Sequence, residues 1–297
     1  MKYIIFFTLI IHSNFTENSK SVPFHLMLKN MKMTEISASD FIMGMPKLEN
    51  MLNRNQIPQH KVTISNSFYI GKYEVTQKQW RDILGENPSH FKGNNLPVEN
   101  VSWLDVQTFI IELNKIVTCN NPDTLSLVDK LGVNAVPSGC FRLPTEAEWE
   151  YSARAGAITS FTFGDSINPY KANFNGYFSY PDTEKSLFTF KNTPRKNRRK
   201  VYRKKTVEVG SYMPNKFGLY DVHGNVAEWC HDYYLKIGDN NRTIHQIDPV
   251  NTTMFSRRIY RGGAWSHRGY NLHLSYRDSK KLKEGYSHIG FRLLATH

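Results

Sequence analysis

The chain has 297 residues, of which 40% are hydrophobic and 13% aromatic, so it is long enough for one large or two small domains with a sizeable core. The formal net charge is +12, but residues 191–205 hold nine Lys and Arg and no acid, and the remainder carries only +3. The composition therefore excludes a protein whose whole surface is basic. We expect the basic segment 191–205 to be solvated and mobile, although it could contact nucleic acid, anionic lipid or an acidic glycan.

The N-terminus has the features of a signal peptide. Lys2 is followed by the apolar run YIIFFTLII at residues 3–11, which is too short for a comfortable transmembrane helix. We interpret residues 1–21 as a signal peptide and expect an exported protein, periplasmic or extracellular. The alternative is a cytoplasmic protein with an ordinary apolar start. No other stretch suggests a membrane span.

The first half of the chain contains three predicted helices. Residues 22–38 show no clear period and are interpreted as an N-terminal extension. Strands are predicted at residues 40–44 and within residues 61–73. Capping boxes then begin helices at Thr76, Ser102 and Thr145. The third helix should end at Gly156, and residues 117–139 form a connector.

Regular structure is predicted to be sparse after Gly156. Loops and short strands extend to residue 248, and strands follow at residues 257–263, 272–277 and 289–294. The pattern indicates one α+β domain over residues 39–297, with segregated helices, a small sheet and much irregular chain. The domain would carry a basic insertion at residues 180–205.

The stretch NKFGLYDVHGNVAEW at residues 215–229 could hold a cation. It places Asp221 and Glu228 on either side of the turn Gly224–Asn225. A cation bound by oxygen needs this layout, because the carboxylates supply charge and the turn exposes backbone carbonyls. The alternative is a tight turn in which Asp221 bonds its own backbone and Glu228 meets a Lys or Arg.

Six blocks of the sequence can be considered together. They are residues 215–229, FRLPTEAEWEYSARAG (141–156), PVENVSW (97–103), FYIGKYEVTQKQW (68–80), RGGAW (261–265) and GFR (290–292). These blocks resemble the formylglycine-generating enzyme family, also called the sulfatase-modifying factor family, and occur in the family's order between residues 39 and 294. The resemblance implies a C-type-lectin-like variant of the α+β class with little regular secondary structure, in which bound cations fix the loops.

The resemblance also implies two structural calcium sites. In the first, Asn173 and the carbonyl of Phe174 would bind calcium, and the basic insertion replaces the loop that should supply the acidic ligand, with Asp182 as a candidate. In the second, the implied ligands are Asp221, Glu228 and the carbonyls of Gly224 and Val226.

The copper-binding element of the family is degenerate in this chain. Active members oxidise a sulfatase cysteine to formylglycine with copper bound by two cysteines, because soft thiolates bind Cu(I) tightly. Here the element reads SHRGYN at residues 266–271, with one residue deleted before it, and the two cysteine positions are Ser266 and Asn271. A serine hydroxyl cannot replace a thiolate. We therefore expect no copper and no cysteine oxidation by the family mechanism, and we assign no catalytic residue.

The three cysteines, Cys119, Cys140 and Cys230, do not have metal-binding spacing. A Cys119–Cys140 disulfide is one option for an exported chain and would leave one thiol over. The favoured interpretation is that all three are small buried side chains.

Two functional hypotheses follow. The first is a binding or structural protein whose cleft takes a protein, peptide or glycan. The second is a metal-dependent oxidoreductase of the same family, with iron or copper, that acts on a protein or peptide. Iron at His267, His273 and His288 is not expected, because the related iron-dependent sulfoxide synthases use a His-x3-His-x-Glu pattern that does not occur here. The cleft would present Trp265, Ser266, His267, Arg268, Tyr270 and Asn271.

Overall fold

A computed structural model describes residues 21–45, 58–118, 140–178, 180, 201–235, 245–253 and 255–296. Several sequence predictions fall on other parts of the chain. Residues 1–20 of the predicted signal peptide, Cys119, Asp182 and residues 191–200 lie outside the described residues.

All three predicted capping boxes are confirmed. They begin α2 (Gln77–Leu84), α3 (Trp103–Lys115) and α4 (Glu146–Arg154), and in each helix the capping side chain and the side chain three residues later bond each other's backbone N–H. The end of α4 differs slightly from the prediction. The helix stops at Arg154 because Ala155 already adopts the left-handed conformation, with φ of 45°.

Residues 22–38 contain regular structure that the sequence does not reveal. They form β1 (Val22–Pro23), α1 (Phe24–Asn30) and β2 (Met33–Ile36), and β1 pairs in parallel with β6 (Val117–Thr118). The helix α1 has no side-chain cap and buries only one of its residues. It therefore lacks both the apolar stripe and the start signal that identify a helix from sequence.

The described strands form three sheets and the short β1–β6 pair. One four-stranded sheet has the order β11-β10-β8-β12, a second has the order β2-β5-β13-β7, and a three-stranded sheet has the order β3-β4-β9. The remaining strands are β3 (Ser39–Met43), β4 (His60–Ile64), β5 (Phe68–Gly71), β7 (Phe141–Arg142), β8 (Ala227–Tyr233), β9 (Gln246–Ile247), β10 (Arg257–Arg261), β11 (Arg277–Lys281), β12 (Ile289–Gly290) and β13 (Leu294–Ala295).

One prediction for the second half is wrong, and one strand was not located in advance. Residues 227–233, within the stretch of predicted loops and short strands, form β8, whose seven residues are all buried. The predicted strand at residues 272–277 is displaced: residues 269–272 form a 3-10 helix, and β11 begins only at Arg277. The α+β class is confirmed, and none of the described helices is long and apolar enough to cross a membrane.

Buried ion pairs join the elements around the core. Glu150 of α4 binds Arg154 at 2.7 Å and also pairs with Arg261 of β10. Glu146 of α4 accepts two hydrogen bonds of 2.7 Å from Arg277 of β11. Because these groups are almost completely removed from water, each charge requires its partner.

One buried arginine, Arg258, is held mainly by aromatic rings. The guanidinium of Arg258 lies 3.8 Å from the ring centroid of Trp103 and 3.4 Å from that of Tyr233. It also donates to the carbonyl of His231. Burial lowers the pKa of Arg258 to about 10, so the side chain stays charged at neutral pH.

One cysteine confirms the favoured interpretation and one differs from it. Cys140 is disulfide-bonded rather than a small buried thiol. Cys230 of β8 is free and fully buried. Burial raises the pKa of Cys230 well above its ordinary value, so this thiol is a poor nucleophile or soft ligand.

We expect Glu150→Gln to lower the free energy of unfolding by about 3 to 5 kcal/mol, because the buried guanidiniums of Arg154 and Arg261 lose their shared carboxylate. Urea titration measures this change. The control is Lys78→Met, which breaks the Lys78–Asp82 pair, with side chains 59% and 55% exposed, and should cost less than about 1 kcal/mol. Equal losses in the two variants would contradict the assigned role of the buried pairs.

Candidate ligand cleft and cation site

The predicted cleft begins at a sharp turn that follows β10. Gly262 and Gly263 have φ of 87° and 74°, a conformation that side chains disfavour. A Cβ atom on Gly263 would also lie 2.7 Å from Leu272. The turn leads into Trp265, whose backbone N–H donates to the carbonyl of Asn225 at 2.8 Å. The cleft loop is thus attached directly to the turn of the predicted cation site.

Trp265 is the centre of an aromatic cluster. Its indole N–H donates to the carbonyl of Ser287 at 3.0 Å. The ring of Phe91 meets the indole edge-on at 5.4 Å, and Tyr202 lies nearly parallel to it at 6.3 Å. Tyr177 in turn contacts Tyr202 at 6.2 Å. Tyr202 and Tyr177 were not identified from the sequence, and Tyr202 lies inside the basic run that was predicted to be mobile.

The prediction of a mobile segment is therefore wrong for residues 201–205. Tyr202 packs on Trp265, and the carbonyl of Lys205 accepts a hydrogen bond of 3.0 Å from Asn173. The charge pattern concealed these contacts, because an aromatic ring and a backbone carbonyl hold the segment while its cations stay exposed.

The structure brings two of the three candidate histidines together. The rings of His267 and His288 are 5.3 Å apart, whereas His273 packs against Phe161 and Tyr180. The Nδ1 atom of His267 is buried and has no hydrogen-bond partner among the described residues. Burial lowers the pKa of His267 to about 3 and that of His288 to about 4, so both are neutral at neutral pH. Within the described residues, no three or more His, Cys, Asp or Glu side chains are grouped to hold a metal ion.

In the rest of the cleft loop, Tyr270 and Asn271 are half-buried and Arg268 is the exposed side chain. The guanidinium of Arg268 lies 4.3 Å from the ring centroid of Phe178. The side-chain oxygen of Asn271 accepts from the backbone N–H of Arg268 at 3.3 Å. Tyr270 lies 6.1 Å from Tyr276, measured between ring centroids.

The residues at the family's copper position do not fit a copper–thiolate centre. Ser266 and Asn271 are half-buried and supply only a hydroxyl and an amide. Cys230 cannot replace them, because it is buried in β8 with its sulfur 3.9 Å from the carbonyl oxygen of Glu228. Cys140 is already disulfide-bonded.

The predicted cation ligands belong to a buried cluster of three carboxylates around one guanidinium. Glu228 accepts from Trp149 at 2.6 Å and pairs with Arg292 through contacts of 2.5 and 2.6 Å. Glu74, which the sequence did not identify as a candidate, accepts from the side chain of Asn225 and the backbone N–H of Val226. The two acids are thus already bound to protein groups.

Asp221 is the least satisfied acid of this cluster. Its backbone is left-handed, with φ of 56°, and its Oδ2 accepts from the N–H of Gly210 at 2.6 Å. Its Oδ1 is buried and has no hydrogen-bond partner among the described residues. Burial raises the pKa of Asp221 to about 6, and burial together with Asp221 and Glu228 raises that of Glu74. A buried carboxylate oxygen without a partner fits a hard cation.

Asn173 of the other predicted calcium site adjoins this cluster. Its carbonyl accepts from the N–H of Asn225 at 2.8 Å, and its amide donates to the Asn225 side chain at 3.2 Å. The Oδ1 atom of Asn173 is also buried without a partner in the described part of the chain. Phe174 is fully buried. Two hard oxygen atoms without partners are thus available near the turn at residues 224–225.

A buried acid supports the wall of the cleft. Glu99 is 0% exposed and accepts from the backbone N–H of Phe91 at 2.8 Å, so it helps to position the ring that meets Trp265. Its Oε2 has no hydrogen-bond partner among the described residues. Burial raises the pKa of Glu99 to about 7.

A cavity of about 670 Å³ lies elsewhere, between α1 and α2. Met27, Met31 and Ile83 contribute to its lining, and Glu74 of the carboxylate cluster reaches it. The aromatic residues around Trp265 do not line this cavity.

Comparison with known proteins assigns a family to this architecture. The model of the sulfatase-modifying factor enzyme 1-like domain matches residues 22–297. The Chaperone protein LppX of Paenibacillus barcinonensis is 34% identical over 241 residues, which are 75% of this chain and 78% of that protein. The formylglycine-generating enzyme of Mus musculus is 27% identical, and the match covers 75% of this chain but only 50% of the enzyme.

Solved structures share the fold. Treponema denticola variable protein 1 has a TM-score of 0.63 and 28% identity, with 89% of this chain and 94% of that one covered. PvdO from Pseudomonas aeruginosa has the same TM-score and coverage at 23% identity, which supports the fold alone.

We expect Glu99→Gln to be more stable than the native protein at neutral pH. Because the folded pKa of about 7 exceeds the ordinary value of 4.5, the native protein loses stability relative to the variant as pH rises through this interval. The difference should be near zero at pH 4 and about 3 kcal/mol at pH 8. Urea unfolding of both proteins across this range measures it. A stability difference between the two proteins that does not change with pH would contradict the raised pKa assigned to Glu99.

Proposed function

The chain belongs to the sulfatase-modifying factor family, and from this premise we propose that it binds polypeptides in the cleft around Trp265 and does not oxidise cysteine. The observation that carries the proposal is the replacement of both copper-binding thiols by Ser266 and Asn271, while the aromatic and basic groups of the cleft are retained. A cleft of this composition has aromatic and basic groups that can bind a ligand, but it does not have the thiols of the family's redox centre.

The residue types of the cleft favour a polypeptide ligand. Trp, Tyr and Arg are the side chains that contribute most to binding at protein interfaces. Trp265, Tyr202 and Arg268 are neighbours on the loops of this cleft. The similarity to a protein named as a chaperone supports the same class of ligand, since chaperones act on polypeptides.

The missing thiols support the absence of oxidase activity. Cysteine oxidation by the family mechanism needs a soft pair of ligands for copper. A hydroxyl and an amide do not supply it, and burial makes the Cys230 thiol inert. The protein can bind a polypeptide without oxidising it, because binding at this cleft does not require the copper-binding thiols.

Calcium is proposed as a structural cofactor. Asp221 and Glu228, with the carbonyls of Gly224 and Val226, would hold it, and a site for a second ion would include Asn173 and the carbonyl of Phe174. The support is the buried oxygen atoms of Asp221 and Asn173 that lack partners. A bound divalent cation would supply the positive charge that Arg292 alone does not provide for three carboxylates.

A metal-dependent oxidoreductase is the second candidate. The pairing of His267 with His288 at 5.3 Å, with the Nδ1 of His267 unbonded within the described residues, is the observation that favours it. Elemental analysis of the purified protein discriminates the two: calcium alone supports a binding protein, and stoichiometric iron or copper supports the oxidoreductase.

Export is part of the proposal. The disulfide at Cys140 supports it, because such bonds persist mainly in oxidising compartments.

We expect the protein to bind a fluorescently labelled, chemically unfolded polypeptide and to leave a sulfatase-type cysteine peptide unconverted, even with copper supplied. Fluorescence anisotropy measures binding, and mass spectrometry detects formylglycine. Trp265→Ala and Tyr202→Ala should each weaken binding about tenfold or more, whereas Ile158→Ala, a side chain 93% exposed, should not. Aldehyde formation, or unchanged binding by both cleft variants, would contradict the proposal.

We expect calcium to raise the stability of the native protein, by about 2.7 kcal/mol when free calcium is a hundredfold above its Kd. Asp221→Ala should abolish this increment, because it removes the unpartnered oxygen, and the exposed-site control Asp82→Ala should retain it. Thermal unfolding with calcium and with chelator compares the three proteins. If chelator leaves the native melting temperature unchanged, the cation site is absent.

A further inference from the structure

The aromatic cluster extends to solvent as one surface. We define the aromatic surface as Tyr177, Phe178, Tyr202 and Trp265. Tyr177 and Phe178 are 47% and 45% exposed, while Tyr202 and Trp265 are half-buried behind them. Exposed neighbouring rings of this size mark an interaction site more often than scattered apolar residues do.

Four cations adjoin this surface along the chain, since residues 203–205 directly follow Tyr202 and Arg268 comes three residues after Trp265. We define the basic rim as Arg203, Lys204, Lys205 and Arg268, all of which are exposed. Among the residues that the structure describes, no carboxylate forms an ion pair with any of them. Within the described part of the chain, the rim therefore presents positive charge that no ion pair neutralises, close to the aromatic surface.

Rings support the two arginines of the rim. The guanidinium of Arg268 lies 4.3 Å from the centroid of Phe178, and that of Arg203 lies 5.7 Å from the centroid of Tyr212. Stacking engages the face of a guanidinium and leaves its N–H edge for acceptors. That edge matches the two oxygens of a carboxylate.

We infer that the polypeptide bound at the cleft is an acidic segment, whose carboxylates bind the basic rim while its apolar or aromatic side chains pack on the aromatic surface. This inference rests on the proposed polypeptide-binding function and specifies its ligand. Charge complementarity selects an anion, and the adjoining rings select one that also carries apolar groups.

The geometry of the rings favours a polypeptide over single-stranded nucleic acid. Tyr202 and Trp265 are nearly parallel, at 18° to each other, but the rings on either side of this pair are angled: Tyr177 is inclined at 80° to Tyr202, and Phe91 at 86° to Trp265. Successive bases need faces on which to stack, whereas side chains of a peptide fit between rings that meet edge to face. A sulfated glycan would engage the rim but would make little use of such angled rings.

The test compares labelled synthetic peptides of 15 residues by fluorescence anisotropy with the full chain. One peptide alternates Glu with Leu and Tyr, and its counterpart has Gln at every Glu. We expect the acidic peptide to bind at least tenfold more tightly than its Gln counterpart and its affinity to fall as salt is added.

The double variant Arg203→Gln with Arg268→Gln should reduce the affinity for the acidic peptide about tenfold, which corresponds to about 1.4 kcal/mol. The control Lys61→Gln with Lys78→Gln removes the same charge from exposed positions elsewhere and should have no effect.

The outcomes separate this inference from the proposed function. Equal binding of the acidic and Gln peptides would overturn the inference and leave polypeptide binding intact. Binding of heparin or oligothymidylate at the rim, with no peptide binding, would overturn both. The control variant with Lys61→Gln and Lys78→Gln must keep its affinity for the acidic peptide. If it loses as much affinity as the variant with Arg203→Gln and Arg268→Gln, the inference is overturned, because net charge alone would then explain the binding. Circular dichroism of each variant confirms that it is folded.

Discussion

The need to pair buried charges constrains the whole structure. Glu146, Glu150 and Glu228 lie in the interior, and each has an arginine partner far away in the sequence, at separations of 131, 111 and 64 residues. Without its partner, each buried charge would lower the free energy of unfolding by several kcal/mol. We interpret the pairs as specifying which segments meet, because the short strands of the described chain offer few backbone ladders to fix their own register.

The same constraint separates the molecule into two electrostatic regions. Around Arg292, three carboxylates share one guanidinium, so the interior beside the turn at residues 224–225 has an excess of negative charge. On the outside of the cleft loop the balance is reversed, since the cations there form no ion pairs with carboxylates of the described residues. Trp265 connects the regions through its backbone bond to Asn225. The loop that presents the cleft is thus supported by the turn proposed to bind calcium.

The structural features that could be predicted from the sequence are those that depend on residues close together in the chain. The three capping boxes were predictable because each requires only residues three positions apart. Strand β8 was not, because Glu228, His231 and Asp232 have the polarity of a loop, and the partners that permit the burial of Glu228 and Asp232 lie on other elements. The resemblance located Trp265 and Arg268, but Tyr202 was concealed by the charges around it. Its contact is made across the fold and has no local signal.

The turn Gly262–Gly263 has a consequence for how such proteins diversify. The cleft loop begins immediately after Arg261 and ends at Arg277. The side chains of both arginines form buried ion pairs with acids of α4 and anchor the two ends of the loop. Between these anchors Ala264, Leu272 and Leu274 are buried in the core, whereas residues 265–268 and 270–271 are half-buried or exposed. Substitutions at these less buried positions therefore disturb the core less than substitutions at the anchors would, so the chemistry of the loop can vary while the scaffold is retained.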